Sequence, residues 1–461
     1  MQLTDFLFLF AFLPAALICA ALTGNRPHAR NALLLAMSVL FCAASGLPGL
    51  LAAAIEILAA FFFGRALERA GEPKRRKCIL ALGIVFAAGL LCYFKYTNFI
   101  LQTLRLPKVS VLPAPVGVSF LTFLLISYLA DVYRGRIPAE TRFSRFFLYA
   151  LYFPKAAQGP LCRYGDFSAQ LDGCTQDAAL PDEGVSRLIL GLGKKVLLSG
   201  AAGAVAKDAF GLPAASLTPV YAWAGAICYA MQLYFDFSGY TDMALGLSLC
   251  FGIRLPENFN SPYLAVSVTD FWRRWHISLS GWFRDYVYIP LGGSRVAAKR
   301  RLYFNIFMVW LLTGIWHGAK WTYIVWGMMY FVLLCVERIL NLSGQKSWLG
   351  WIYTVFFFIA GNVVFRSENV TGALKYLLAM FNIHTTGLLD EKAVYYFAEY
   401  KMFLLIGMAA ALPIAVWLRA QVGRRGAWIE NLRPVWCAAV FLVALSFIVK
   451  GGYNPFIYFD F

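Results

Sequence analysis

LYFNIFMVWLLTGIWHG (302–318) decides how this chain is to be read. Almost every side chain in it is apolar, so it reads as a transmembrane helix. Its few polar residues still fall together. At about 100° per residue, Asn305, Thr313, Trp316 and His317 share a sector of about 120°. Gly314 and Gly318 form a GxxxG spacing on another face, where a neighbouring helix can approach closely. Lys320 follows at the mouth. A polar sector on an apolar helix should face a cavity, and an ionisable group at that depth is read as functional. The bland alternative is a histidine that only hydrogen-bonds a neighbouring helix.

Working outward, the preceding segment holds a second histidine. The chain has only four, and His276 lies in FWRRWHISLSGWFRDYVYIPLGG (271–293). Residues 267–286 read as one amphipathic helix that starts with a capping pattern, Ser267 then Asp270. Phe271, Trp275, Leu279, Trp282 and Tyr286 form its apolar stripe, and Arg273, Ser280 and Arg284 fall opposite. His276 sits at the edge of the stripe. The alternative is an interfacial helix anchored by Trp and Arg, with His276 bonded into the core. Neutral imidazole accepts a proton near pH 7, so the two histidines suggest proton transfer inside a membrane.

Composition agrees. Apolar residues make up 60% of the 461 residues and charged residues 14%, against roughly 25% charged in soluble domains. Apolar segments that can span are 3–23, 78–104, 114–133, 217–235, 302–318, 321–340, 349–365, 401–418 and 434–449. With segments broken by Gly or Pro, roughly eleven crossings or partial crossings are expected, in one all-α integral-membrane domain, 1–461. The net charge of +17 does not point to nucleic acid, because the basic residues cluster in short loops. The densest are 64–77, 292–301 and 422–426. Basic loops on both sides of 31–63 imply a hairpin turning at SGLPG (45–49), with loops 64–77 and 422–426 cytosolic and both termini extracytoplasmic. The first segment has no basic n-region and no cleavage site, so it reads as a retained helix. The ten cysteines are scattered, without CxxC, and read as small core residues. No metal or nucleotide motif is present.

LPAPVG (112–117), YFPKAAQGP (152–160) and YIPLGG (288–293) break apolar runs. Broken backbone at membrane depth must be buried or line a cavity, so 152–160 and 285–293 are expected to line one that opens to the cytosol. Asp236 and Asp242 in an apolar run need partners, and Arg254, Arg273 and Arg274 are the candidates. Lys194 and Lys195 could attract the phosphates of a cytosolic cofactor or be ordinary membrane-edge lysines. His28 and His384 read as surface histidines.

These segments resemble the membrane-bound O-acyltransferase family, in its bacterial polysaccharide O-acetylation branch. The resemblance is carried by FKYTNF (94–99), PVGVSFLTFLLISYLADVYRG (115–135), QGPLCRYGDF (158–167), LGLGKKVLL (190–198), YFDFSGYTDMALGL (234–247), LPENFNSPY (255–263), TDFWRRWHISLSGWFRDYVYIPLGGSR (269–295), TGIWHGAKW (313–321) and NPFIYFDF (454–461). It implies many helices around a funnel, with acetyl-coenzyme A entering from the cytosol and a polysaccharide or peptidoglycan hydroxyl accepting on the far side. It also implies that His317 is the essential histidine and His276 the second functional position. Such proteins often hand the acyl group to a separate extracytoplasmic transferase, here one of SGNH type. A homo-oligomer stays compatible with the sequence.

The chemistry fits. A thioester is an activated donor, a hydroxyl is a weak nucleophile that needs a base, and a buried neutral imidazole suits that task. The oxyanion needs a donor, and His276, Asn305 and the Trp316 N–H are all open to that role. Asn305, Thr313, Trp316, Arg273 and Ser280 are the expected substrate contacts. Three other readings compete: D-alanyl transfer to teichoic acid from a carrier protein, a transporter or flippase without chemistry, and a scaffold. A transporter predicts internal repeats, which are not found.

Overall fold

The computed structural model describes residues 1–24, 26–173, 180–342, 347–383, 387–412 and 432–450. His384, the loop 422–426 and the tail 451–461 lie outside them. The regular structure of the described residues is helical, with one isolated β-bridge between Phe259 and Trp275. Their contacts group into two compact units, 1–188 with 241–257, and 189–240 with 258–461.

The first unit contains α1 (Leu13–Thr23), α2 (Pro27–Ala43), α3 (Leu47–Arg69), α4 (Pro73–Thr103), α5 (Val118–Tyr133), α6 (Phe143–Leu151) and α7 (Tyr164–Ser168). α8 (Leu180–Gly193) continues through a π-helical turn, Lys194–Ser199, into α9 (Gly200–Gly211), which belongs to the second unit. α10 (Pro219–Cys250) contributes to both. The second unit continues with α11 (Val268–Arg274), α12 (Ile277–Phe283), a π-helical turn Arg284–Tyr288, α13 (Lys299–His317), α14 (Trp321–Ile339), α15 (Trp348–Arg366), α16 (Val370–Ala379), α17 (Glu391–Ala411) and α18 (Arg433–Val449).

Among the described residues five helical stretches are long and apolar enough to cross a bilayer: α3, α4, Pro181–Gly211, α14 and α15. Phe8–Thr23, α5, α16 and α18 are shorter apolar helices. The expected hairpin is present, with α2 and α3 separated by a turn around Gly46. The basic segment 64–77 is not a loop along its length. α3 runs to Arg69 and α4 starts at Pro73, where proline takes the first helical position, so only 70–72 is non-helical.

The Pro- and Gly-marked breaks are real. Residues 152–160 form turns, and 112–116 are irregular. The two breaks pack on each other within the first unit. Gly117 has φ 61°, and a Cβ there would lie 2.0 Å from the Ala156 carbonyl oxygen, so only glycine fits. In the same turn, buried Lys155 places its Nζ 4.3 Å from the centre of the Tyr149 ring.

The carboxylates in α10 correct an expectation. Asp236 is paired with Lys195, and both are buried in the second unit. Asp242 is paired in the first unit with Arg187 at 3.0 Å, which also binds Glu257 at 2.6 Å. Of the arginines proposed as partners, Arg274 is bonded to Asp270 at 3.0 Å. The physical reason is proximity. α10 packs along the 184–199 helix through glycines, and a Cβ on Gly239 would lie 2.9 Å from the Lys195 backbone nitrogen.

Candidate functional site

His317 is the last residue of α13, and the chain turns back after it into α14. Small residues let these helices touch. A Cβ on Gly314 would lie 2.6 Å from the Tyr323 carbonyl oxygen, and one on Gly327 would lie 2.5 Å from that of Trp310. The close approach packs aromatic rings around the imidazole. Ring centroids of Trp316, Trp326 and Phe365 lie 4.7, 4.9 and 5.0 Å from that of His317.

The segment 267–286, read above as one helix, is two. α11 ends at Arg274, Trp275 is extended, and His276 adopts a left-handed conformation, φ 46° and ψ 53°. That region costs a non-glycine residue about 1–2 kcal/mol. The cost is offset by hydrogen bonds from the preceding stretch, LPENFNSPY. Asn260 N–H donates to the Arg274 carbonyl at 2.9 Å, and Ile277 N–H donates to the Asn258 carbonyl at 3.0 Å. The Asn258 Oδ1 accepts from Ser278 N–H at 3.2 Å and Ser278 Oγ at 2.6 Å, capping α12. Periodicity cannot show this break, because the bonds that replace the helical ones come from residues 258–260.

The start of α11 agrees with its capping pattern, since Ser267 Oγ accepts from Asp270 N–H at 3.0 Å. A second anchor comes from Glu337, buried on α14. Its carboxylate accepts from Val268 N–H, from Thr269 N–H at 2.9 Å and from Thr269 Oγ1 at 2.6 Å. A negative group at a helix N-terminus is favoured by the helix dipole and the free N–H groups. Glu337→Ala would strand these buried donors. It is expected to lower stability by about 1–3 kcal/mol, with Glu337→Gln losing less, as read by thermal melting in detergent.

Two adjoining cavities result, both within the second unit. One, of about 240 Å³, is lined by His276, His317, Thr313, Arg273, Ser280, Asn362, Trp272, Trp275, Trp310, Trp326, Phe283, Phe358 and Phe365, among others. The other, of about 500 Å³, is lined by Arg273, Arg284, Arg338, Ser280, Thr269, Tyr288 and Asn341 among others, with no carboxylate among the described residues of its wall, though Arg284 is paired with the adjacent Asp285 at 2.8 Å. They share Thr269, Arg273, Ser280, Val309, Trp310 and Leu334. Along α13 the wall runs Ile306, Val309, Trp310, Thr313, His317, which is one helix face. At about 1.5 Å per residue that face extends roughly 16 Å from Ile306 to His317, with Lys299, Arg300 and Arg301 further back at the start of the helix.

The proposed residues therefore divide. His276, His317, Thr313, Arg273 and Ser280 meet at the cavities. Trp316, also an expected substrate contact, is in neither wall; its ring packs beside both histidines, its centroid 6.2 Å from that of His276 and 4.7 Å from that of His317. Asn305 is not in either wall. It is fully buried, and its Nδ2 donates to the Gly293 carbonyl at 3.0 Å, tying the YIPLGG turn to α13. Lys195 is engaged by Asp236, and Lys194 is half-buried on the same π-helical turn. Neither lysine lines the two cavities. Of the broken segments, 285–293 contributes Tyr288 to the larger cavity, and 152–160 contributes to neither.

Sequence reasoning missed Asn258, Glu337, Arg338 and Asn362. Asn362 had a signal, as the one carboxamide in the apolar span 349–365. The others gain meaning only from what they touch.

Residues 136–374 match the model of the membrane-bound O-acyltransferase family. A probable alginate O-acetylase of Pseudomonas putida is 36% identical over 98% of this chain and 99% of its own length. The peptidoglycan O-acetyltransferase of Helicobacter pylori is 34% identical over 83% of this chain and 80% of its own. The teichoic acid D-alanyltransferase of Bacillus subtilis is 32% identical over 51% of this chain and 62% of its own.

Proposed function

This chain belongs to the membrane-bound O-acyltransferase family, as a multi-pass membrane protein, and from that premise we propose that it moves an acetyl group from cytosolic acetyl-coenzyme A to a hydroxyl on the extracytoplasmic side, for O-acetylation of a cell-wall or exported polysaccharide. The observation that carries the reading is the pair of adjoining cavities. One is rich in guanidinium groups, the other is apolar and holds both imidazoles, and they follow one face of α13.

His317 is the general base. It takes the proton of the acceptor hydroxyl as that oxygen attacks the thioester carbonyl carbon. His276 is the second functional position, held in the wall of the same cavity by its clamped turn. Ser280 offers its hydroxyl to the substrates, Thr313, whose hydroxyl donates to the Val309 carbonyl at 2.7 Å, offers an acceptor oxygen, and Trp316 packs against both imidazoles. Aromatic walls exclude water from the thioester. The phosphates of coenzyme A belong at Arg273, Arg284 and Arg338, where fork-shaped donors suit phosphate oxygens, and not at Lys194 and Lys195. The acceptor reaches the site directly or through an extracytoplasmic transferase of SGNH type, and both termini face that side.

The test uses purified protein in nanodiscs with radiolabelled acetyl-coenzyme A and a polysaccharide acceptor. Acceptor-dependent release of free coenzyme A is expected. Arg273→Ala, Arg284→Ala and Arg338→Ala should each raise the donor KM roughly tenfold or more, with smaller changes in kcat. Turnover only with an aminoacylated carrier protein would replace this reading with D-alanyl transfer.

A further inference from the structure

We propose that Asn362 is a catalytic residue, whose side-chain N–H group hydrogen-bonds the thioester carbonyl oxygen and stabilises the negative charge that develops there. The inference rests on the acyl-transfer reading above.

Three observations meet on α15. First, Phe358, Asn362 and Phe365 all line the cavity that holds the two histidines. Spaced four and three apart, they share one helix face. Second, the two rings place Asn362 between the histidine-bearing segments. Phe358 lies 5.3 Å, centroid to centroid, from Trp275, the residue before His276. Phe365 lies 5.0 Å from His317. Third, Asn362 is only 3% exposed, and its Nδ2 has no hydrogen-bond partner among the described residues. A buried amide donor without an acceptor costs roughly 1–3 kcal/mol. Donors left open in a dry cavity are what a developing oxyanion requires, because they need no reorganisation when the charge appears.

Asn305 does not compete for this role, since its Nδ2 is bonded to Gly293. Trp272 also lines the cavity, and its Nε1 has no hydrogen-bond partner among the described residues. Its ring, however, packs against Trp310 and Tyr330, each at 4.9 Å, and Trp310 belongs to the wall shared with the arginine-lined cavity. That places Trp272 beside the donor's path rather than on the α15 face.

The step balances without a further reagent. The acceptor oxygen forms a bond to the carbonyl carbon and yields its proton to His317. The carbonyl π pair moves onto oxygen, where Asn362 donates to it. The pair then returns, the carbon–sulfur bond breaks, and the thiolate takes the proton back from His317. The products are an ester and free thiol.

The test compares Asn362→Leu, Asn362→Gln and Trp272→Phe with wild type in nanodiscs, using acetyl-coenzyme A labelled with ¹³C at the carbonyl. For Asn362→Leu, kcat should fall roughly 10²–10³-fold while the donor KM moves less than about threefold. Asn362→Gln, which keeps the donor, should recover part of the rate. The infrared band of the bound thioester carbonyl should shift to higher frequency in Asn362→Leu, as its hydrogen bond is lost. Because leucine replaces an unpartnered buried amide, the variant should melt at or above the wild-type temperature. Wild-type turnover with Asn362→Leu at a similar kcat overturns the proposal alone. So does an unshifted carbonyl band with a lowered melting temperature, or the rate loss falling on Trp272→Phe instead. A wild-type protein that transfers no acyl group from any thioester overturns the parent reading as well.

Discussion

His317→Ala is expected to bring acyl transfer down to background while leaving donor binding in place. The imidazole is 6% exposed, ringed by Trp316, Trp326 and Phe365, and aimed at a cavity that also receives Thr313 and His276. Among the described residues no carboxylate lines either cavity, so none of that type stands ready to take over as base. Loss of a general base typically costs roughly 10²–10⁴-fold, and a positioned acceptor is lost with it. Coenzyme A release and donor binding should be measured separately on the purified variant. His276→Ala, in the same assay, should lower specific activity strongly with the protein still inserted and folded. Its turn is held by backbone atoms and by Asn258, all of which the variant keeps. Retained transfer near the wild-type rate in His317→Ala would falsify the base assignment and move it to His276. If His276→Ala lowers only membrane yield, that histidine is structural.

Lys195→Met is expected to destabilise the protein by about 3–5 kcal/mol, an effect on folding and not on donor affinity. It would leave the Asp236 carboxylate buried in the second unit without its ammonium partner. The double change Lys195→Met with Asp236→Leu should recover most of the loss, because apolar replacement of a whole buried pair is often neutral or stabilising. Melting in detergent, followed by chemical-denaturant titration, reads both. A Lys195→Met protein that melts like wild type but binds acetyl-coenzyme A poorly would return the phosphate site to this lysine. The contrast with Arg273, Arg284 and Arg338 is physical. Those guanidinium groups line an open cavity, where Arg284 keeps one exposed ion pair with Asp285 at 2.8 Å, whereas Lys195 is enclosed with its carboxylate.

Much of the helical layout was legible along the chain. The spans expected at 321–340 and 349–365 correspond to α14 and α15 within a few residues, because long apolar runs have one way to satisfy their backbone in lipid; the expected span 302–318 is the helix α13, which, with three basic residues in its first turn, is not among the five long apolar stretches. The break at Trp275–His276 was not legible. The apolar stripe from Phe271 to Tyr286 is continuous on a helical wheel, and only the pairing with 258–260 interrupts it. Arg273, Ser280 and Arg284 still reach one cavity, as their shared polar face suggested.

The sequence by itself determined that this is an all-helical membrane protein, with two histidines in apolar surroundings and a close helix contact at Gly314. These follow from composition and from periodicity, which report local backbone preference and the polarity of each face. Tertiary structure alone decided that Asn305 serves a turn while Asn362 enters the cavity. It also decided that Lys195 answers Asp236, and that Glu337 holds the helix leading to His276. A buried polar group takes the partner that packing brings within about 3 Å, and that partner commonly lies far along the chain.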